Sequence, residues 1–167
     1  HIDQEGDGKP DRNRGRFRAR LQLDAPVHPE WSLGFRLASD EGGDPVSTNQ
    51  TFGDSLSKKS VYIDLAYVDF HPASVAGLSM IAGKMNNPFY IVGKNQLIWD
   101  GDLTPEGIAA TWKTDLSDTM QLFTNGGAFY ISENENGNDL SLYGIQAGLK
   151  HSWDKDTYLL GGLGYYA

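Results

Sequence analysis

The 167 residues carry 14 Lys and Arg against 22 Asp and Glu, a formal net charge of −8, and no cysteine. That balance argues against nucleic acid as a main partner, and the missing thiols exclude disulfides and thiolate metal sites. No run of about 18 apolar residues is present, so no helix is long and apolar enough to cross a bilayer. A membrane barrel, which alternates apolar and polar residues, escapes that test.

Residues 1–12 form a polar N-terminal segment ahead of a single domain over 13–167. Asp3, Glu5, Asp7 and Asp11 set carboxylates at spacings used by calcium loops, where several oxygens converge from a tight turn. Counted from Asp3, the twelfth position is Arg14 rather than the bidentate Glu such a loop needs. The block therefore reads as a plain polar segment with calcium as the other candidate. No metal and no cofactor are expected.

Eight extended segments follow, at roughly 13–25, 30–40, 58–71, 77–87, 106–115, 119–132, 139–151 and 157–167. In the first, Arg14, Arg16, Arg18, Arg20, Gln22 and Asp24 share one parity and Phe17, Ala19, Leu21 and Leu23 the other. A strand turns that alternation into one cationic and one apolar face, whereas a helix would scatter the arginines. In the second, Trp31, Leu33, Phe35 and Leu37 oppose Ser32, Gly34, Arg36 and Ala38. In the third, Val61, Ile63 and Leu65 oppose Tyr62, Asp64 and Ala66, while Asp69 falls on the apolar parity, which points to the turn end or to a bulge before it. In the fifth, Ile108, Ala110 and Trp112 oppose Thr111 and Lys113. In the seventh, Tyr143, Ile145, Ala147 and Leu149 oppose Gln146 and Lys150. The fourth, sixth and eighth show no clear parity.

The connections alternate in length. Those after the first, third, fifth and seventh segments are short; Asp40 to Ser57 and Asn87 to Pro105 are long, and Glu133 to Asn138 is intermediate. Trp31, Phe70, Trp112, Trp153 and Tyr158 cluster at the short-turn ends, with Tyr62, Tyr130 and Tyr143 at the other. Aromatic belts at both ends and sorted loop lengths are features of an antiparallel, up-and-down transmembrane β-barrel. An Arg on the lipid face near the midplane costs about 2–4 kcal/mol. Four would cost roughly 8–16 kcal/mol, comparable to a domain's whole stability. The arginines must face water or partner charges.

Several stretches in order resemble the "putative porin" family of Gram-negative bacteria: Arg14-Gly-Arg-Phe-Arg-Ala-Arg-Leu21, Leu33-Gly-Phe-Arg-Leu-Ala-Ser39, Ser47-Thr-Asn-Gln-Thr-Phe-Gly53, Ile63-Asp-Leu-Ala-Tyr-Val68, Ala82-Gly-Lys-Met-Asn-Asn-Pro-Phe89 and Trp99-Asp-Gly-Asp-Leu-Thr-Pro-Glu-Gly-Ile108. The resemblance implies a bacterial outer-membrane β-barrel channel for passive diffusion of small hydrophilic solutes. Members are longer, and the last segment ends at Leu163-Gly-Tyr-Tyr-Ala167 without the terminal aromatic of such barrels. The expectation is a fragment, about eight strands of a barrel of roughly 16–18, the size class that leaves an aqueous channel.

On that reading Arg14, Arg16, Arg18, Arg20, Arg36, Asp64, Lys84, Lys113, Gln146 and Lys150 line the pore, and Trp31, Phe70, Trp112, Trp153 and Tyr158 form a lipid-interface girdle. The basic row would raise the local anion concentration, or would pair with Asp64 and acidic loop residues and stiffen the wall. Those loop acids are Asp40, Glu41, Asp44, Asp54, Asp100, Asp102 and Glu106. The segment Asn87 to Pro105 either folds inward and narrows the pore or stays in solvent. Expected partners are membrane lipid and small hydrophilic solutes or anions, with a homo-oligomer open. No nucleophile–base pair or phosphate loop stands out, so an enzyme is not expected. The competing reading is a plugged barrel acting as an anchor or adhesin through its long loops.

Overall fold

The computed structural model describes residues 13–53, 56–135 and 137–167, so Asp3, Glu5, Asp7, Asp11 and Asp54 lie outside the described residues. Among the described residues ten strands form: β1 (Arg16–Phe17), β2 (Arg20–His28), β3 (Trp31–Asp40), β4 (Gln50–Thr51), β5 (Ser60–Phe70), β6 (Leu78–Lys84), β7 (Glu106–Ser117), β8 (Met120–Ser132), β9 (Leu140–Ser152) and β10 (Tyr158–Tyr166). Eight make one antiparallel meander in the order β10-β9-β8-β7-β6-β5-β3-β2, while β1 and β4 pair separately. The sheet is all-β and open, with β2 and β10 at its edges. The only helical turn among the described residues is Val92–Lys94.

All eight expected segments are strands of the main sheet, with one revision. The first does not run unbroken from 13 to 25. The Ser39 hydroxyl accepts the Ala19 N–H and donates to the Thr48 carbonyl. That exchange draws the following loop onto the chain, so Arg16–Phe17 peels away to pair with Gln50–Thr51 and the sheet strand begins at Arg20.

Register sorts side chains onto two faces. One carries Arg20, Gln22, Arg36, Thr111, Lys113, Gln146 and Lys150. The long loop 85–105 lies over it and makes it the covered face. The other, open face carries Leu21, Leu23, Leu33, Phe35, Ile63, Ile108, Ile145, Leu149 and Leu163, all largely solvent-accessible. A band of apolar side chains across a whole sheet needs an apolar medium or partner over it. Strands of 9–13 residues, all but the seven-residue β6 in this sheet, are long enough to cross a bilayer core when tilted.

A bulge lies between β3 and β5. Arg36 faces Leu65 and Leu37 faces Ile63, leaving Asp64 as the extra residue. An extra residue puts two consecutive side chains on one side and inverts parity beyond it. Asp64 and Leu65 are accordingly both buried under the covered face, at 7% and 0% exposure. Leu65 thus parts from Val61 and Ile63, against the simple alternation. Beyond the bulge Tyr67 and Asp69 turn to the covered face and Ala66, Val68 and Phe70 to the open one. This explains the charge at Asp69, whose carboxylate accepts from Ser79 Oγ at 2.7 Å.

The small core sits between sheet and loop. Met85, Phe89, Ala109 and Phe129 are buried, with Tyr67, Ile81, Trp99, Leu142 and Tyr166 packed around them.

If the open face meets lipid, Ile145→Arg should lower stability by about 2–4 kcal/mol near the midplane. Equilibrium unfolding of the vesicle-refolded protein in urea measures this; an unchanged midpoint would place that face in water.

Candidate functional site

Three arginines and two carboxylates meet on the covered face. Asp64, held inward by the bulge, accepts from Arg36 Nε at 2.5 Å and lies 3.9 Å from Arg20 Nε. Asp102, on the long loop, accepts from both Nη atoms of Arg18 at 3.2 and 2.6 Å and from Arg20 Nη2 at 2.8 Å. Thr48 Oγ1 takes two further bonds from Arg20, at 3.1 and 2.7 Å, and Asn49 Oδ1 one from Arg18. Arg36 also reaches Gln22 Oε1 at 3.4 Å. Three guanidiniums against two carboxylates leave one positive charge for five side chains. The planar guanidinium suits such shared carboxylates because its donors diverge in a fixed fork.

The loop is fastened at its far end by different chemistry. The Gln146 side chain accepts the Tyr90 N–H at 2.7 Å and donates to the Tyr90 carbonyl at 3.0 Å. One amide side chain so replaces a strand neighbour, satisfying both backbone groups of a residue outside any ladder. Asn125 Nδ2 donates to the same Gln146 oxygen at 3.0 Å and fixes its orientation. Phe89 stacks with Trp99 at 5.7 Å and meets Phe129 and Tyr166 edge-on at 6.1 and 5.0 Å. Gly144 makes room for that ring: a Cβ there would stand 2.4 Å from Phe89 Cζ. The neck is closed by Met85 N–H to the Pro105 carbonyl at 2.9 Å. The loop thus crosses the sheet from β2 to β10, pinned by ion pairs at one side and by aromatic packing at the other. A cavity of about 830 Å³ remains on its long-loop side, lined by Lys84, Phe89, Trp99, Glu106, Phe129 and Leu142 among others.

The other expected pore residues divide. Lys113, Gln146 and Lys150 share the covered face. Arg16 is on β1 beside Glu41, and Arg14 precedes it near the same carboxylate. Lys84 registers with Ala66 and Glu106 on the parity of the open face; its ammonium bonds Glu106 at 2.9 Å and the Thr104 carbonyl at 3.1 Å, bracing the loop neck. Of the expected girdle, Trp31 stacks on Phe70 at 4.5 Å on the open face, Trp112 donates to the Ala76 carbonyl, and Trp153 packs on His151. Tyr158 is a correction. Its pairing with Ser152 gives it the parity of Lys150, and the Lys150 ammonium lies 4.5 Å from its ring centre, so it faces the covered side.

In the sequence Asp102 stands out only as one of several loop acids, and no local pattern marks Phe89, Tyr90 or Trp99. The signal available was glycine: Gly127, Gly144 and Gly148 fall on the covered parity, each where a Cβ would strike an aromatic ring. Outside the strands, the Glu41 carboxyl is held below its usual range, first by the Thr51 hydroxyl, against an opposing desolvation, and then by the Thr51 backbone N–H, Arg16 and Arg14. A lowered folded-state value means that this contact stabilises above the ordinary Glu range and is lost as pH falls through the lowered value.

The two carboxylates should fail differently. Asp64→Ala strands Arg36 in a site where both partners are nearly buried and should cost about 3 kcal/mol in equilibrium unfolding. Asp102→Ala removes a solvent-screened contact, should leave global stability within about 1 kcal/mol, and should speed proteolytic nicking of loop 85–105. Equal losses in both variants would contradict the division.

The sequence model of the "putative porin" family matches residues 5–167, nearly the whole chain. A search of curated proteins finds no match. The family describes a membrane channel rather than a catalyst, and the meander with one apolar exposed face and one charged, loop-covered face is the wall such a protein needs. The chain belongs to the "putative porin" family.

Proposed function

We propose that this chain supplies part of the wall of a water-filled channel in the bacterial outer membrane, through which small hydrophilic solutes and ions diffuse passively. The observation that carries the reading is the loop 85–105. It is pinned across the charged face by Asp102 at one end and by Phe89 and Tyr90 at the other, where it would narrow a lumen without filling it. Sheets that leave an aqueous interior belong to barrels of roughly 16–18 strands, and this meander would contribute eight of them. The open face would meet lipid, with Trp31, Phe70, Trp112 and Trp153 at the interface on the short-turn side. In such barrels the short turns face the periplasm and the long loops the exterior. No catalysis and no cofactor are required. On the covered face Arg18, Arg20 and Arg36 are met by Asp64 and Asp102, while among the described residues Lys113 and Lys150 have no carboxylate at ion-pair distance, so a preference for anions is part of the proposal.

Planar-bilayer recording of the purified protein tests this. Stepwise conductance is expected, and Gly144→Val should raise it by unseating Phe89 and loosening the loop. A protein that inserts but never conducts would instead fit the plugged-barrel reading, an anchor or adhesin acting through its outer loops.

A further inference from the structure

We infer that the anion-selecting groups of this wall are Lys113 and Lys150, not the arginine row, and that they form a resting site for small inorganic anions on the short-turn side of the loop. The inference rests on the channel reading. Lys113 pairs with Phe123 and Lys150 with Gln121, so the two lysines stand two strands apart on one face, offset by two residues. Both line a cavity of about 420 Å³ with Tyr90, Gln121, Phe123 and Tyr158.

Their charge state of pairing separates them from the arginines. Arg18, Arg20 and Arg36 spend their donors on Asp102 and Asp64. Among the described residues neither Lys113 nor Lys150 has a carboxylate within ion-pair distance. Asp115, two residues from Lys113 on the same face, is opposite Gln121 and accepts its amide at 2.9 Å. Lys150 is steadied over the Tyr158 ring at 4.5 Å, a contact that uses the ring's negative face and leaves other N–H groups for a ligand. Two ammoniums on one cavity wall, with the Gln121 amide and the Tyr158 phenol beside them, offer hydrogen bonds and charge to chloride or phosphate. The site lacks the enclosing donors of a tight binding pocket, and a transit site must release what it holds.

The test is the reversal potential of the full protein in a KCl gradient, for the parent and for the Lys113→Gln/Lys150→Gln double variant. The anion-to-cation permeability ratio should fall at least about threefold in the double variant while conductance persists, and Lys113→Arg/Lys150→Arg should restore it. Unchanged selectivity in a conducting double variant overturns the inference and leaves the channel reading standing. If the parent does not conduct, the channel reading fails and the site is judged by titrating inorganic phosphate against the lysine ammonium nitrogen resonances. Shifts at Lys113 and Lys150 would uphold an anion site, and their absence would overturn it.

Discussion

A guanidinium cannot face hydrocarbon cheaply, and a strand offers only two faces. These two facts fix most of the architecture. Once Arg20 and Arg36 are placed on the covered face, the parity of β2 and β3 is set, and Leu21, Leu23, Leu33 and Phe35 are forced onto the opposite side. Pairing carries that choice from strand to strand across all eight. The charge must then be met, and the fold meets it by two routes: an extra residue that swings Asp64 under Arg36, and a loop that brings Asp102 to Arg18 and Arg20. The bulge is the finer device. It brings a carboxylate under Arg36 and inverts the parity beyond it, so Leu65, Tyr67 and Asp69 take the covered face while Val61, Ile63, Val68 and Phe70 take the open one.

The loop in turn divides the face into two electrostatic halves. On the β2 side, opposite charges are brought together and largely cancel. On the β8 to β10 side the fastening is neutral, a Gln146 amide and a cluster of rings, and the lysines beyond it keep their charge exposed. Rigid anchoring therefore does not have to consume the wall's positive charge. Had the loop been held at both ends by salt bridges, little cationic surface would have remained on this face.

Much of this was legible from residue patterns, and the failures have a physical cause. The β2, β3, β7 and β9 faces could be read because polar and apolar residues alternate there. The same test was silent for β6, β8 and β10. There the covered face is itself apolar: Ile81, Phe123, Phe129 and Tyr166 pack beneath the loop, so neither side is marked as wet. Tyr158 joins the girdle only by its place at a short-turn end, and in a strand without a marked face that position does not tell which side the ring takes. Asp64 shares a parity with Tyr62 in a plain alternation that the bulge breaks one residue later. The split of the first segment depends on Ser39, twenty positions from Ala19, and no local pattern announces it.

The glycine beneath Phe89 has a consequence for how such proteins can be altered. Gly144 lies on β9, while the ring it seats comes from the connection between β6 and β7. Gln146 lies two residues further along the same strand, and the partners of Asp102 are near the start of the chain. The connection is therefore no interchangeable module. Grafting it onto another barrel would require carrying along matching positions from β2 and from β8 to β10, so loop and wall must be exchanged as one inherited unit.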